Sequence, residues 1–311
     1  MMARRTHKEI VEWERRFPTG RRGGYAAFVE DIRKLRDSYY AEFLKNKAPR
    51  LATIDEVIAA FGRLPPEEFS EAYNLSDEDL EGRLKSVQRK YMLRFKNIRR
   101  SWALLLQYMP ELMTQGRKRS VLEMSTAHGA TLEILRNFGH EVRGNDFPNF
   151  LTGKTGVDSR FRGVNEHDLT RFKDDHGLND GEPDNQDLDW IYRPITESIG
   201  LEVDLFDGGH LPYPYEDKSF DFVCCMDAIE HYCHPKDWLE IVNEFVRISR
   251  ESVLIITNPV QGHLVDDDSY MKPFYKFHQD MQSYNRDGFG CVLAGVHRNQ
   301  LTVFKLLKTG A

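Results

Sequence analysis

Long apolar runs are missing from this chain. No stretch of its 311 residues approaches the ~20 that a membrane-spanning helix requires, so no membrane partner is expected. The opening residues, MMARRTHKEI, carry positive charge with no apolar stretch behind it, and no secretory signal is read there. Cysteine is scarce. Cys224, Cys225 and Cys233 lie close together and Cys291 stands apart. Two adjacent cysteines on one apparent strand make a poor disulfide framework, so a reducing, cytoplasmic setting is the expectation. Glycine is thin where a nucleotide-binding turn would place it. In 121-VLEMSTAHGA-130 only Gly129 is a glycine, and the other small positions are Ser125, Thr126 and Ala127.

What is present is a chain with 40% hydrophobic residues and a net charge of -6, unevenly spread. Residues 1–50 hold 13 Lys/Arg against 7 Asp/Glu, and the remainder holds 30 against 42. A basic head on an acidic body raises nucleic-acid contact. Here the two signs alternate rather than forming a block, so a solvated helical face is the preferred reading and nucleic acid is not expected as a partner.

Residues 1–115 read as an N-terminal helical domain. Segment 25–46 carries Phe28, Ile32, Leu35, Tyr39 and Phe43 at helical spacing. A second helix starts at 76-SDED-79, where Ser76 can cap it and acids fill the first turn. Its stripe runs Leu80, Leu84, Val87, Tyr91, Phe95, Ile98, Trp102, Leu105, ending near Pro110. From 116 to 311 the pattern changes to short strands alternating with helices, the mark of an α/β sheet. Strands are predicted at 119–124, 141–145, 201–206, 221–226, 252–257, 290–296 and 301–307, with helices at 130–138 and 236–249. The last two strands should form an antiparallel edge hairpin through 297–300. Residues 147–188, rich in Gly, Asp, Asn and Pro, read as an insertion over the sheet's C-terminal edge.

In an open parallel sheet, ligands bind beyond the carboxyl ends of the strands. Four consecutive predicted strands end there on polar residues: Glu123, Asn145-Asp146, Asp207-Gly208 and Met226-Asp227. Asp146 can accept two hydrogen bonds from a ribose diol, and Asp207 one from an adenine amino group.

The run 211-LPYPYEDKSFDFVCCMDAIEHYCHP-235 resembles the class I S-adenosylmethionine-dependent methyltransferases, in their ubiquinone/menaquinone-methyltransferase-like branch. Leu211, Pro212, Ser219, Phe220, Asp221, Val223, Ile229, Glu230 and His231 match in order and spacing. The run 121-VLEMSTAHGATLEIL-135 matches the family's first motif in position, and 253-VLIITNP-259 matches its fifth strand. The resemblance covers roughly residues 118–308 and leaves out the helical first third and the insertion. It implies a seven-stranded, mostly parallel, Rossmann-like sheet behind the N-terminal helical domain. It also implies S-adenosylmethionine as cofactor, held by Glu123, Met124, Ser125, Gly129, Asp146, Phe147, Asp207, Gly208, Met226 and Asp227. Serine and alanine stand at 125 and 127 where the family writes glycine, and the loop is read as modified but working.

Methyl transfer from a sulfonium is an in-line displacement that asks the protein mainly to align donor and acceptor. A hydroxyl acceptor benefits from a base, for which His231 is the first candidate and His234 and His278 are weaker ones. A helix-cap or packing role is the plain alternative for His231. No metal is expected: 231-HYCH-234 matches no structural zinc spacing, and carboxylates at Asp227 and 266-DDD-268 leave magnesium without support. Tyr213, Tyr215, Tyr270, Phe274, Tyr275 and Phe277 either line an acceptor pocket or pack. The function expected is methylation of a small molecule, with an oxygen of a sugar or biosynthetic intermediate favoured. Two alternatives stay open: an RNA or protein methyltransferase gripping through the basic head, and a non-catalytic binding module. The helical domain would cap the acceptor site or form a homodimer.

Overall fold

Apolar strands covered on both faces and amphipathic helices alternate along the chain, and the pairing that follows is set by their burial. The computed structural model describes residues 73, 75, 94–113, 116–147, 190, 192–258, 260, 264, 266–296 and 302–309. Within them run α1 (Arg94–Tyr108), β1 (Ser120–Met124), α2 (Ala130–Asn137), β2 (Glu141–Asp146), α3 (Arg193–Ser198), β3 (Val203–Leu205), β4 (Phe220–Met226), α4 (Trp238–Ile248), β5 (Ser249–Thr257), α5 (Asp268–Gln282), β6 (Asn285–Arg286), β7 (Phe289–Val296) and β8 (Thr302–Lys308). The predicted helix at 25–46 and nearly all of the insertion lie outside the described residues.

The strands form one sheet in the order β3-β2-β1-β4-β5-β8-β7-β6. β1 to β5 pair in parallel, while β8 runs antiparallel to β5 and β7 antiparallel to β8. All seven predicted strands are present. The sheet nevertheless has eight strands, and the expectation of seven is corrected by β6. It is a two-residue strand that turns back on β7 through Asp287 and Gly288, both with positive φ (53° and 77°). Both central residues with φ > 0 are what a tight hairpin turn demands, and Asp-Gly meets that at low cost. The last two long strands pair antiparallel as expected. However, β8 lies inside the sheet between β5 and β7, so that pair is not itself the edge. Residues 297–300, where the hairpin was placed, are outside the described residues.

Two apolar layers cover the sheet. On one face Ile98, Trp102 and Leu105 of α1 pack with Val121, Ile134, Leu135, Phe222 and Leu254. On the other, Trp238, Ile241, Val242, Phe245, Val246 and Ile248 of α4 pack with Val223, Val253 and Ile255. Each fully buried side chain of this size contributes roughly 1.5–3 kcal/mol. α5 was not read from the sequence; Asp267 caps it by accepting from the Ser269 N–H at 2.8 Å. Its aromatic stripe packs rather than lining a cavity. Tyr270, Phe274 and Phe277 surround the Trp238 ring at 5.2–6.5 Å, and only Tyr275 projects outward. Tyr213 and Tyr215 likewise pack on Phe206. A wholly buried charged contact lies in the first layer: Lys305 of β8 pairs with the carboxylate of Glu111 just after α1 and donates to the Tyr108 carbonyl at 2.7 Å.

Candidate functional site

Strand order reverses between β1 and β4, so a crevice opens beyond their carboxyl ends. β1 delivers Glu123 and Met124 to that edge and turns into α2 through Ser125–Gly129. The backbone of this turn is left-handed at every second residue: φ is +57° at Ser125, +48° at Ala127 and +76° at Gly129. Only glycine enters that region without steric cost. The chain therefore keeps the shape of a glycine-rich loop at two positions that lack glycine. Hydrogen bonds hold it there. Thr126 N–H donates to the Asn145 carbonyl at 2.8 Å, and the Thr126 hydroxyl to the Glu123 carbonyl at 3.0 Å. At Gly129 a side chain would meet both the strain of φ +76° and a clash, because a Cβ would lie 2.4 Å from a Leu201 methyl, which would have to move. Ala127→Gly is expected to stabilise the protein by up to about 1 kcal/mol, relief of strain being partly offset by a freer unfolded chain. A shift of the urea midpoint at unchanged slope measures it.

Glu123 is buried, and its Oε2 has no hydrogen-bond partner. Burial pushes its carboxyl up to about 8, opposed by a hydrogen bond from Thr131 and reinforced by the charge of Asp146. A carboxyl raised in the fold gives stability that is complete below its unfolded pKa and is lost as pH rises through 8. Glu123→Gln is therefore expected to be more stable than the parent above pH 8, by about 1–3 kcal/mol, with the two converging near pH 4. Thermal midpoints across that range test the sign. Met124 points into the core layer with Leu122.

The end of β2 is tied to this loop. Asp146, also buried, accepts from Ala127 N–H at 2.9 Å through one oxygen and from Phe147 N–H at 2.7 Å through the other. Burial raises its carboxyl to about 6 against those two bonds and a third from the Trp190 side chain. Asn145 donates to the Phe206 carbonyl at 3.0 Å and so fixes the end of β3. Beyond it, Asp207 accepts from Gly209 N–H at 2.8 Å, and the Gly208 carbonyl accepts from the Tyr213 hydroxyl at 2.6 Å.

β4 ends at Met226, half-buried against the α1 layer, and then Asp227, whose φ of +57° is again left-handed. Asp227 pairs through Oδ2 with Arg100 of α1, while its Oδ1 is buried and unpartnered. His231 closes the short 3-10 turn Ile229–His231; it is half-exposed and lies 3.8 Å from Glu230. His234 caps the next turn, accepting from Lys236 N–H, and edge-packs on Tyr270. His278 sits among Phe274 and Phe304 and is pushed down to about 4 by burial. Neither joins the crevice residues. Among the described residues no three His, Cys, Asp or Glu side chains converge as a metal site would require.

The four strand ends thus lie along the carboxyl edge of the sheet, where the bond between Asp146 and Ala127 ties β2 to the loop after β1. Two contributors were missed. Arg100 reaches Asp227 from α1, and Tyr232 reaches back to Ser125, their hydroxyls 2.7 Å apart. Neither residue carries a periodic or motif signal that ties it to a partner more than a hundred positions away.

A parallel sheet with this crevice, acids at its strand ends and a left-handed turn after β1 defines a Rossmann-like cofactor-binding domain. The family described as "Methyltransferase domain" matches residues 94–280, more than half of the chain, and the chain belongs to it. It is an S-adenosylmethionine-dependent methyltransferase, which sets aside the non-catalytic alternative. No curated protein matches the sequence. Among solved structures the chain is similar to a Pyrococcus horikoshii protein (14% identity over 71% of this chain and 92% of that one, TM-score 0.40). It is also similar to magnesium protoporphyrin IX methyltransferase from Synechocystis (12%, 76% and 92%, 0.37) and to 1,6-didemethyltoxoflavin-N1-methyltransferase from Burkholderia thailandensis (14%, 69% and 79%, 0.36).

The residues present fit that cofactor. Its ammonium and sulfonium groups are cationic, and the crevice offers a buried carboxylate oxygen of Glu123 without a donor. Its ribose hydroxyls need acceptors, and the Asp146 carboxylate, with about four lone-pair sites, has capacity beyond the Ala127 and Phe147 N–H groups it accepts from.

Proposed function

We propose that the protein methylates a small-molecule acceptor, with an oxygen of a sugar or biosynthetic intermediate favoured, and that it falls in the ubiquinone/menaquinone-methyltransferase-like branch. The observation that carries the site assignment is the alternating left-handed backbone at 125, 127 and 129, bonded to Asp146 at the switch point of the sheet. The cofactor supplies the activated methyl group. Ser125 and Gly129 shape the loop around its methionine part, with Glu123 facing the ammonium and Met124 supporting the loop from beneath. Asp146 and Phe147 take the ribose and its ring side, Asp207 and Gly208 the adenine edge, and Met226 and Asp227 the floor below the methyl. His231 receives the proton of a hydroxyl acceptor; its half-exposed position lets it pass that proton to water.

Residues 1–115 act in this reading as a cap over the acceptor or a dimer contact, and the insertion 147–188 as a lid. The contact of Arg100 with Asp227 supports the cap, since it brings α1 to the crevice. A small acceptor is favoured over a nucleic acid by the acidic balance of residues 51–311. A cytoplasmic site of action is supported by four free thiols. No described helix is long and apolar enough to cross a membrane.

Calorimetric titration with S-adenosylmethionine and S-adenosylhomocysteine, repeated on Asp146→Ala, tests the cofactor site. Micromolar binding that the substitution removes is expected. Equal binding by the variant would move the ribose elsewhere. Acceptor screening with the parent and His231→Asn then tests the base.

A further inference from the structure

We infer that Tyr232 is a positioning residue for the cofactor loop: its hydroxyl holds Ser125 in the left-handed conformation that a glycine would adopt unaided. The inference rests on the cofactor site proposed above and adds to it a residue that no motif marks.

Three observations carry it. Tyr232 Oη lies 2.7 Å from Ser125 Oγ, and Ser125 has φ +57°. The Tyr232 ring lies flat on Gly208: a Cβ at 208 would stand 2.8–3.0 Å from three ring carbons, so only glycine lets the ring approach. Finally, the Cys225 thiol reaches the same hydroxyl at 3.8 Å. One buried phenol thus touches the loop after β1, the turn after β3 and the end of β4.

Burial raises the Cys225 thiol far above its ordinary range, so it stays protonated and donates to the Tyr232 oxygen. The phenol is itself raised by burial and stays protonated. Either hydroxyl of the Tyr232–Ser125 pair can donate to the other across the 2.7 Å between them. A serine held by its hydroxyl from outside the loop can keep a backbone conformation that costs a side-chain-bearing residue roughly 1–2 kcal/mol. At Ala127, which has no hydroxyl, the backbone N–H bond to Asp146 serves instead.

A double-mutant cycle tests this. S-adenosylhomocysteine is titrated into the parent, Tyr232→Phe, Ser125→Gly and the double variant. Tyr232→Phe is expected to weaken binding by roughly three- to ten-fold, the range of one net hydrogen bond. Ser125→Gly supplies the left-handed backbone without the hydroxyl, and Tyr232→Phe added to it should then have little further effect. Binding by Tyr232→Phe equal to the parent overturns the inference. So does a double variant as weak as Tyr232→Phe alone, since the loss would then run through the ring's seat on Gly208. Absence of binding by the folded parent would instead sink the cofactor site. The coupling is in that case read without ligand, from urea midpoints of the same four proteins, where additivity overturns the inference.

Discussion

Glu111→Gln is expected to lower the stability of the fold by about 3–5 kcal/mol, the cost of leaving a buried charge without its partner. Lys305 is wholly buried in a strand covered on both faces, and the Glu111 carboxylate pairs with it there. Take that carboxylate away and the buried ammonium loses its opposite charge, while it still donates to the Tyr108 carbonyl. Burial already lowers the Lys305 pKa. Without Glu111 it falls further, and the amine sheds its proton. A lysine depressed in the fold binds fewer protons there than when unfolded, so stability rises with pH between the two pKa values. The deficit of Glu111→Gln should accordingly shrink as pH rises toward the ordinary lysine range. Denaturant unfolding at two pH values measures both effects. Replacing the pair together, Glu111→Leu with Lys305→Met, should recover most of the loss, because an apolar pair of similar size needs no desolvation of charge. A loss below about 1 kcal/mol in Glu111→Gln would mean that water reaches Lys305.

Asp146→Ala is expected to weaken cofactor binding about a hundred-fold or more. A carboxylate that receives two ribose hydroxyls forms two charge-assisted bonds of about 1.5–3 kcal/mol each. The substitution also strands the N–H groups of Ala127 and Phe147, which now donate to it. Asp146→Asn separates the two losses, since an amide oxygen keeps one of those bonds but carries no charge. The carboxyl titrates near 6 in the protein without ligand. The titration of this group by itself lowers binding about ten-fold per unit below that pH and leaves it unchanged above. Fold stability moves in the opposite sense. A carboxyl raised by burial gives stability that is complete below about 4 and lost as pH rises through 6. The site becomes competent over the same interval in which burying its charge becomes costly. A binding profile flat from pH 5 to 8 would show that Asp146 does not meet the ribose.

Much of the fold was legible because parallel strands covered on both faces write themselves as unbroken apolar runs, as Val253 to Ile256 do. The four strand ends were legible because polar residues stop those runs abruptly. α5 was not, because Pro273 reads as a helix breaker although the structure places it in a helix. β6 was too short for any alternation, yet its turn did carry a signal in Asp287-Gly288. Arg100 and Tyr232 were invisible for another reason: each acts through a partner that only the closed sheet brings near. The left-handed loop was legible only in outline, since composition showed the missing glycines but not that Ser125 and Ala127 keep their backbone shape.

The placement of β8 between β5 and β7 has a consequence for how the chain reaches this state. β5 presents four apolar residues in a row, and its free edge is covered by a strand about fifty positions further on. Until β8 docks, that edge is an unpaired row of backbone donors and acceptors without a single charge among Val253, Leu254, Ile255 and Ile256. The parallel half of the sheet can assemble first, but it stays open to a neighbouring chain for as long as the antiparallel half lags. Crowding during refolding is then the chief hazard for this protein, and the strand that ends the hazard is the one that carries Lys305.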